Sequence, residues 1–180
     1  MMSKRGAVRC SSVSALALCV LALAGCDADK GEGAAPGSLS RASLEHRVAG
    51  SFTADDPGAG IEAHCGGGLA VRRGATRDCR LDVGTESADV HVVVASVSGR
   101  RPLLRITPYI PADRLGDALR SALSGQGYEV ESVECEDELP GEPDARTGCT
   151  VSPAEGEGRV DVHVTKVDGL MVNFDYDVVR

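Results

Sequence analysis

The chain has 180 residues and a formal net charge of −8, a length that fits one domain or two small ones. Aromatic residues make up 3% and tryptophan is absent, which argues against an aromatic-lined ligand pocket and against base stacking on nucleic acid. The acidic balance also makes a phosphate backbone an unexpected partner.

Residues 1–25 read as a signal peptide. Lys4, Arg5 and Arg9 form a positive start with no acidic residue, and Val13 to Ala24 is an apolar run. That run is shorter than the ~20 residues a membrane-spanning helix needs. It ends in Leu23-Ala24-Gly25-Cys26, which resembles the bacterial lipobox. The resemblance implies that the Cys26 thiol receives a diacylglycerol and that cleavage leaves Cys26 at the N-terminus. The plainer reading is a secretory signal that happens to contain a cysteine. Removal of the three basic residues leaves 16 basic against 27 acidic, a net charge of −11. A protein so charged is repelled by anionic head groups and is expected to stand off the membrane. In a cell with two membranes, Asp27 after the cysteine resembles an inner-membrane retention signal; one- and two-membrane envelopes both remain open. Residues 26–39 hold the lipidated cysteine and a Gly-, Ala- and Asp-rich stretch that reads as a flexible tether.

Beyond the tether, four cysteines remain: Cys65, Cys79, Cys135 and Cys149. Both pairs are spaced by fourteen, and the pairs are offset by seventy. The same offset superposes Val90, Val92, Val94, Val97 and Gly99 on Val160, Val162, Val164, Val167 and Gly169, and Leu69 on Leu139. A slip of one aligns Leu44, Val48 and Phe52 with Leu115, Leu119 and Leu123. The chain therefore reads as a tandem duplication, residues 40–110 and 111–180. Four cysteines allow three pairings. The duplication selects Cys65–Cys79 and Cys135–Cys149, one disulfide in each copy. An exported chain lies in an oxidising compartment, and each such closure is worth roughly 3 kcal/mol in the chain-entropy picture. Four thiolates binding zinc are the alternative, though the spacing is not that of paired CxxC knuckles.

Within each copy the expected order is one helix and four strands. Leu115, Leu119 and Leu123 recur every four residues, a single apolar helical stripe. Pro111 suits the helix start, and Gly125 or Gly127 its stop. Leu44, Val48 and Phe52 repeat the stripe in a helix starting near Ser40 or Ser43. Strands are expected near 60–65, 77–83, 88–97 and 102–109, and near 129–135, 148–152, 159–167 and 171–179. The alternation of Val90-Val92-Val94 and of Val160-Val162-Val164 carries this reading. Ser98-Gly99 and Asp168-Gly169 are hairpin-turn dipeptides. The fold class is α+β: two tandem αββββ units, each a helix on a four-stranded antiparallel meander.

Helix, Cys, a loop with Gly-Ala or Asp-Ala, Cys, a Val-rich strand and a Gly turn together resemble the domain of unknown function 4333 family, over both copies. The resemblance implies an actinobacterial-type lipoprotein or anchored envelope protein, and it implies no chemistry. This chain has Gly66 and Glu136 where members often carry proline after the first cysteine, and Asp144 where the first copy has Gly74. The architecture alone is also similar to tandem secreted β-lactamase inhibitors.

Chemistry is sparse. His46, His64, His91 and His163 do not align between the copies, so no duplicated histidine site is expected. Gly66-Gly67-Gly68 lacks the lysine and the strand–loop–helix setting of a phosphate loop, and reads as flexibility within a disulfide loop. The acidic stretch 131–138 reads as a solvated face, with Ca²⁺ or a basic partner as the sharper alternative. Arg100, Arg101 and Arg105, with Arg72, Arg73, Arg77 and Arg80 in the disulfide loop, make the first copy basic at these places, and they are expected to attract the acidic second copy. No catalytic residue, metal site or cofactor is expected. The expected function is a non-catalytic, lipid-anchored envelope module on the extracytoplasmic face of the cell membrane, binding a protein or envelope component and no nucleic acid. The disulfide loops 66–78 and 136–148 are expected to carry specificity. An anchored inhibitor of an envelope enzyme is the alternative, and an enzyme the last.

Overall fold

The computed structural model describes residues 37–53, 60–153 and 156–179. The segment read as a signal peptide, Cys26 and most of the stretch read as a tether lie outside the described residues. The described part belongs to one compact unit, Glu32–Arg180, built from two lobes.

The first lobe begins with a short strand, β1 (Ser38–Leu39), and a helix, α1 (Arg41–Ala49). Ser40 caps the helix: its hydroxyl accepts a hydrogen bond from the Ser43 amide at 3.3 Å. Leu44 and Val48, one turn apart, are fully buried. Then come β2 (Ile61–Cys65), the short β3 (Leu69–Ala70), β4 (Thr76–Val83), β5 (Glu86–Ser98) and β6 (Arg101–Ile110). The second lobe continues with α2 (Ala112–Gly125), β7 (Val130–Cys135), the short β8 (Leu139–Pro140), β9 (Arg146–Pro153), β10 (Gly158–Asp168) and β11 (Met171–Val179). Pro111 stands at the α2 N-cap, and Leu115, Leu119 and Leu123 face inward. Helix α2 lies close on β7, because a Cβ at Gly116 would stand 2.6 Å from the Val133 carbonyl oxygen.

Each lobe is the expected helix on an antiparallel meander. The first sheet runs β2-β4-β5-β6 and the second β11-β10-β9-β7. Inward valines of the central strands fill both cores: Val90, Val92 and Val94 in one, Val160, Val162 and Val164 in the other. Burying such a side chain is worth about 1.5–3 kcal/mol. Cys65 faces Cys79 and Cys135 faces Cys149 directly across neighbouring strands, and both disulfides form. A ladder irregularity follows Val94 in one lobe and Val164 in the other.

Three short strands were not expected. Ser38–Leu39, at the end of the stretch read as tether, pairs with Leu69–Ala70. In the second lobe the same place, just before the helix, is taken by the last residues of β6. Tyr109 pairs with Pro140 and Ile110 with Leu139. The backbone bonds repeat this correspondence: Val71 N donates to Gly37 O and Gly141 N to Pro108 O, both at 2.7 Å. The second lobe thus borrows its pre-helix strand from the first, and the first sheet gains β8 as a fifth strand. Two-residue strands carry too little alternation to be read from sequence.

These strands also order part of each disulfide loop. Leu69 and Leu139 are 1% and 0% exposed and sit in the cores, while the turns at Arg72–Gly74 and Glu142–Asp144 are exposed. Gly68 is a packing glycine rather than a flexible one: a Cβ there would stand 2.5 Å from the Leu39 carbonyl oxygen. Gly74 and Asp144 both have left-handed backbone, with φ of 80° and 63°.

Candidate functional site

A group of ionisable side chains lies where the lobes meet. His91 sits on β5, opposite Asp78 of β4 and Thr107 of β6. Val90 and Val92 on either side point into the core, so His91 projects from the outer face of the sheet. Its Nδ1 is 2.7 Å from Asp78 Oδ1, and its Nε2 is 2.5 Å from Glu138 Oε1. Glu138 belongs to the second lobe and directly precedes β8. The ring stacks on Tyr109, with centroids 3.9 Å apart and planes within 2°. Tyr109 is also the β6 residue that pairs with Pro140, so the clasp and the borrowed strand are one junction.

An ionised carboxylate only accepts hydrogen bonds, so both ring nitrogens of His91 donate only in the imidazolium form. Partial burial lowers the His91 pKa, but the hydrogen bonds it donates to Asp78 and Glu138 outweigh it and the net shift is upward. Tyr109 is pushed up to about 12, mainly by burial, with Asp78, Asp89 and Glu138 adding to it. One residue pair away, Asp89 of β5 receives Arg114 of α2 at 2.9 Å and lies 3.8 Å from Arg80. Burial raises the Asp89 pKa, with Arg80 opposing the shift.

The lobes therefore attract each other through Glu138–His91 and Arg114–Asp89, not through the first-lobe arginines the sequence suggested; of these, Arg80 pairs within its own lobe, with Asp89. Among the described residues Arg72 and Arg73 form no ion pair. A second contact comes from the β10–β11 turn, where Leu170 packs on the first core. Beside it a cleft of about 550 Å³ opens between Phe52, Ile61, Val83 and Met171.

The other singled-out residues are scattered. His46 and His64 are exposed, and His64 lies 3.3 Å from Asp82. His163 is half-buried, 3.8 Å from Asp177. Within the acidic stretch, Glu136 pairs with Arg159 at 2.8 Å and Glu138 serves the clasp. Among the described residues no group of three or more His, Cys, Asp or Glu is placed to hold a metal ion. The cysteines reserved for zinc as an alternative are instead in two disulfides. Both ring nitrogens of His91 are engaged by carboxylates, so the geometry is that of a structural clasp. Sequence reasoning missed it because Asp78, His91, Tyr109 and Glu138 meet only through strand register and lobe docking.

The second lobe, including the borrowed end of β6, can now be compared with known proteins. Residues 107–169 match the family model described as Domain of unknown function (DUF4333). The matched segment opens one residue before Pro108, whose carbonyl receives Gly141 N–H, and closes at the Gly169 turn. The DUF4333 segment thus includes the pre-helix strand that the first lobe supplies. Neither the curated proteins nor the solved structures returned a match. The two disulfides suggest an extracytoplasmic location. Among the described residues no helix is long and apolar enough to cross a membrane.

Proposed function

We propose that this chain is a lipid-anchored envelope protein in which two tandem copies of one disulfide-closed module form a single non-catalytic binding body. The observation that carries the reading is the conjunction of a lipobox at Cys26 with two disulfide-locked lobes. Oxidised cysteines and a lipid-acceptor cysteine belong to the same side of the membrane. The shared offset of seventy, the shared strand register and the equivalent left-handed Gly74 and Asp144 support the duplication. The clasp at His91 and the borrowed strand hold the lobes as one body, so a ligand meets one continuous surface rather than two hinged modules.

Two measurements test this. Mass spectrometry of the membrane-extracted protein should find a diacylglycerol on an N-terminal Cys26, and Cys26→Ser should release the chain from the membrane fraction. The lipid-free exported chain, used as bait on envelope extract, should retain a partner. An unmodified Cys26 in a membrane-free protein sinks the anchor. Retention of the same species by a reduced, unfolded bait sinks the binding reading.

A further inference from the structure

We propose that one end of the first lobe, bearing Arg72, Arg73, Arg100, Arg101 and Arg105 with the exposed Leu103, lies against an anionic lipid surface. The inference deepens the lipid-anchor reading and rests on it.

Strand register places these residues together. The β5–β6 hairpin closes at Ser98 and Arg101, with Gly99-Arg100 as its two-residue turn. Arg101, Leu103 and Arg105 alternate along β6 and are all exposed, Leu103 at 63%. The disulfide loop reaches the same end of the sheet. Gly74 N donates to Val94 O at 2.9 Å, and Val94 pairs with Leu104. The exposed Arg72-Arg73 turn thus stands at the same end of the sheet as Leu103 and Arg105, with β5 between them. No acidic residue occurs in 66–77 or in 90–112, and among the described residues none of the five arginines has an ion-pair partner. The carboxylates of this lobe lie elsewhere. Glu62 and Asp82 pair with each other across strands toward the opposite hairpin, whose tip carries Glu86. Asp78 and Asp89 are held at the junction.

The point where the chain enters the fold lies at the arginine end. Gly37 O receives Val71 N–H, next in sequence to Arg72. Residues 27–37 are all that separate Cys26 from β1, and eleven residues span at most roughly 38 Å. The anchor therefore delivers this end to the bilayer first. Charge is divided the same way. Residues 40–110 carry 9 basic and 8 acidic side chains, and residues 111–180 carry 6 and 16. An anionic surface attracts the unpaired arginines and repels the second lobe. The net charge of the whole chain led to an expectation of stand-off, but its distribution along the chain orients the molecule. Exposed Leu103, flanked by arginines on its strand, is placed to enter the head-group layer.

The test uses the lipid-free chain from residue 27 onward, which contains the whole compact unit Glu32–Arg180. It is cosedimented with vesicles of phosphatidylglycerol and phosphatidylcholine mixed, and of phosphatidylcholine alone. The expected result is binding to the mixed vesicles only, released by salt of about 0.5 M. The combined variant Arg72→Ser, Arg73→Ser, Arg101→Ser, Arg105→Ser should lower the partition coefficient at least roughly tenfold. Arg100→Glu with Arg101→Glu, confined to the hairpin tip, gives a second reading should the combined variant fold poorly. Absence of binding, equal binding to neutral vesicles, or unchanged binding by folded variants each overturns the proposal. The outcome is independent of the anchor, because the tested chain has no lipid and the mass of Cys26 is measured separately.

Discussion

Cutting the chain immediately before α2 should destroy the second lobe, whereas cutting a few residues earlier should not. A fragment starting at Pro111 keeps α2, all its core leucines and the Cys135–Cys149 disulfide. It loses Pro108, Tyr109 and Ile110. With them go the pairings Tyr109–Pro140 and Ile110–Leu139 and the 2.7 Å bond from Gly141 N to Pro108 O. Ile110 is half-buried against the second core, worth roughly 1 kcal/mol on the usual scale for apolar burial. Two or three backbone hydrogen bonds add about 1 kcal/mol each. The sum, roughly 3–4 kcal/mol, approaches the whole stability of a small domain, ~5 kcal/mol. Fragments 107–180 and 111–180, both oxidised, should be compared by far-UV circular dichroism in urea. The longer fragment should unfold cooperatively. The shorter should show no transition, or a midpoint lower by about 2–3 M at the urea sensitivity of a chain this small. Equal midpoints would falsify the borrowed-strand reasoning.

Three further outcomes follow from the geometry. The folded His91 pKa is raised above an unfolded value of about 6.5. Its contribution is therefore full below that pH and is lost as pH rises through the raised value. The melting temperature of the wild type should fall over that window, and Glu138→Gln should flatten the fall; parallel curves for the two proteins would refute the clasp. Cys79→Ser should cost roughly 3 kcal/mol, read as a lower urea midpoint, and reduction of the wild type should lower it at least as far because both bridges then open. Asp144 holds a left-handed φ of 63°, so Asp144→Gly should raise stability by about 0.5–1 kcal/mol, measured by thermal melting, while Gly74→Ala should lower it.

Much of the fold was legible because its signals are local and repeated. The leucine stripe of α2, the valine alternation of β5 and β10 and the cysteine spacing each need only a few neighbouring positions. Agreement between patterns offset by seventy residues turned weak signals into a consistent assignment. The strand ranges expected from alternation differ from those observed by one or two residues at most ends, the ordinary scatter of element boundaries. Ser98-Gly99 and Asp168-Gly169 were read as turns, and both hairpins close there with glycine at φ 60°. Local signals failed where an element is too short to have a period, as at Ser38–Leu39 and Leu139–Pro140. They failed also where one residue serves two partners, as Tyr109 does in pairing with Pro140 and stacking on His91.

The sequence by itself determined the fold class, the disulfide pairing and the places of both helices, because hydrophobic period and repeated spacing act over short stretches. It also suggested that the arginines of the first lobe attract the second, since charge counted along a chain has no direction in space. Only the tertiary structure decided which charges meet. Strand register set Asp78, His91 and Tyr109 side by side on one face of the sheet, and lobe docking brought Glu138 to them from the far side of α2. The same register gathered the five arginines, without acidic partners, at the end where the chain enters the fold. Register and docking depend on how two cores close against each other, and no window of neighbouring residues contains that information.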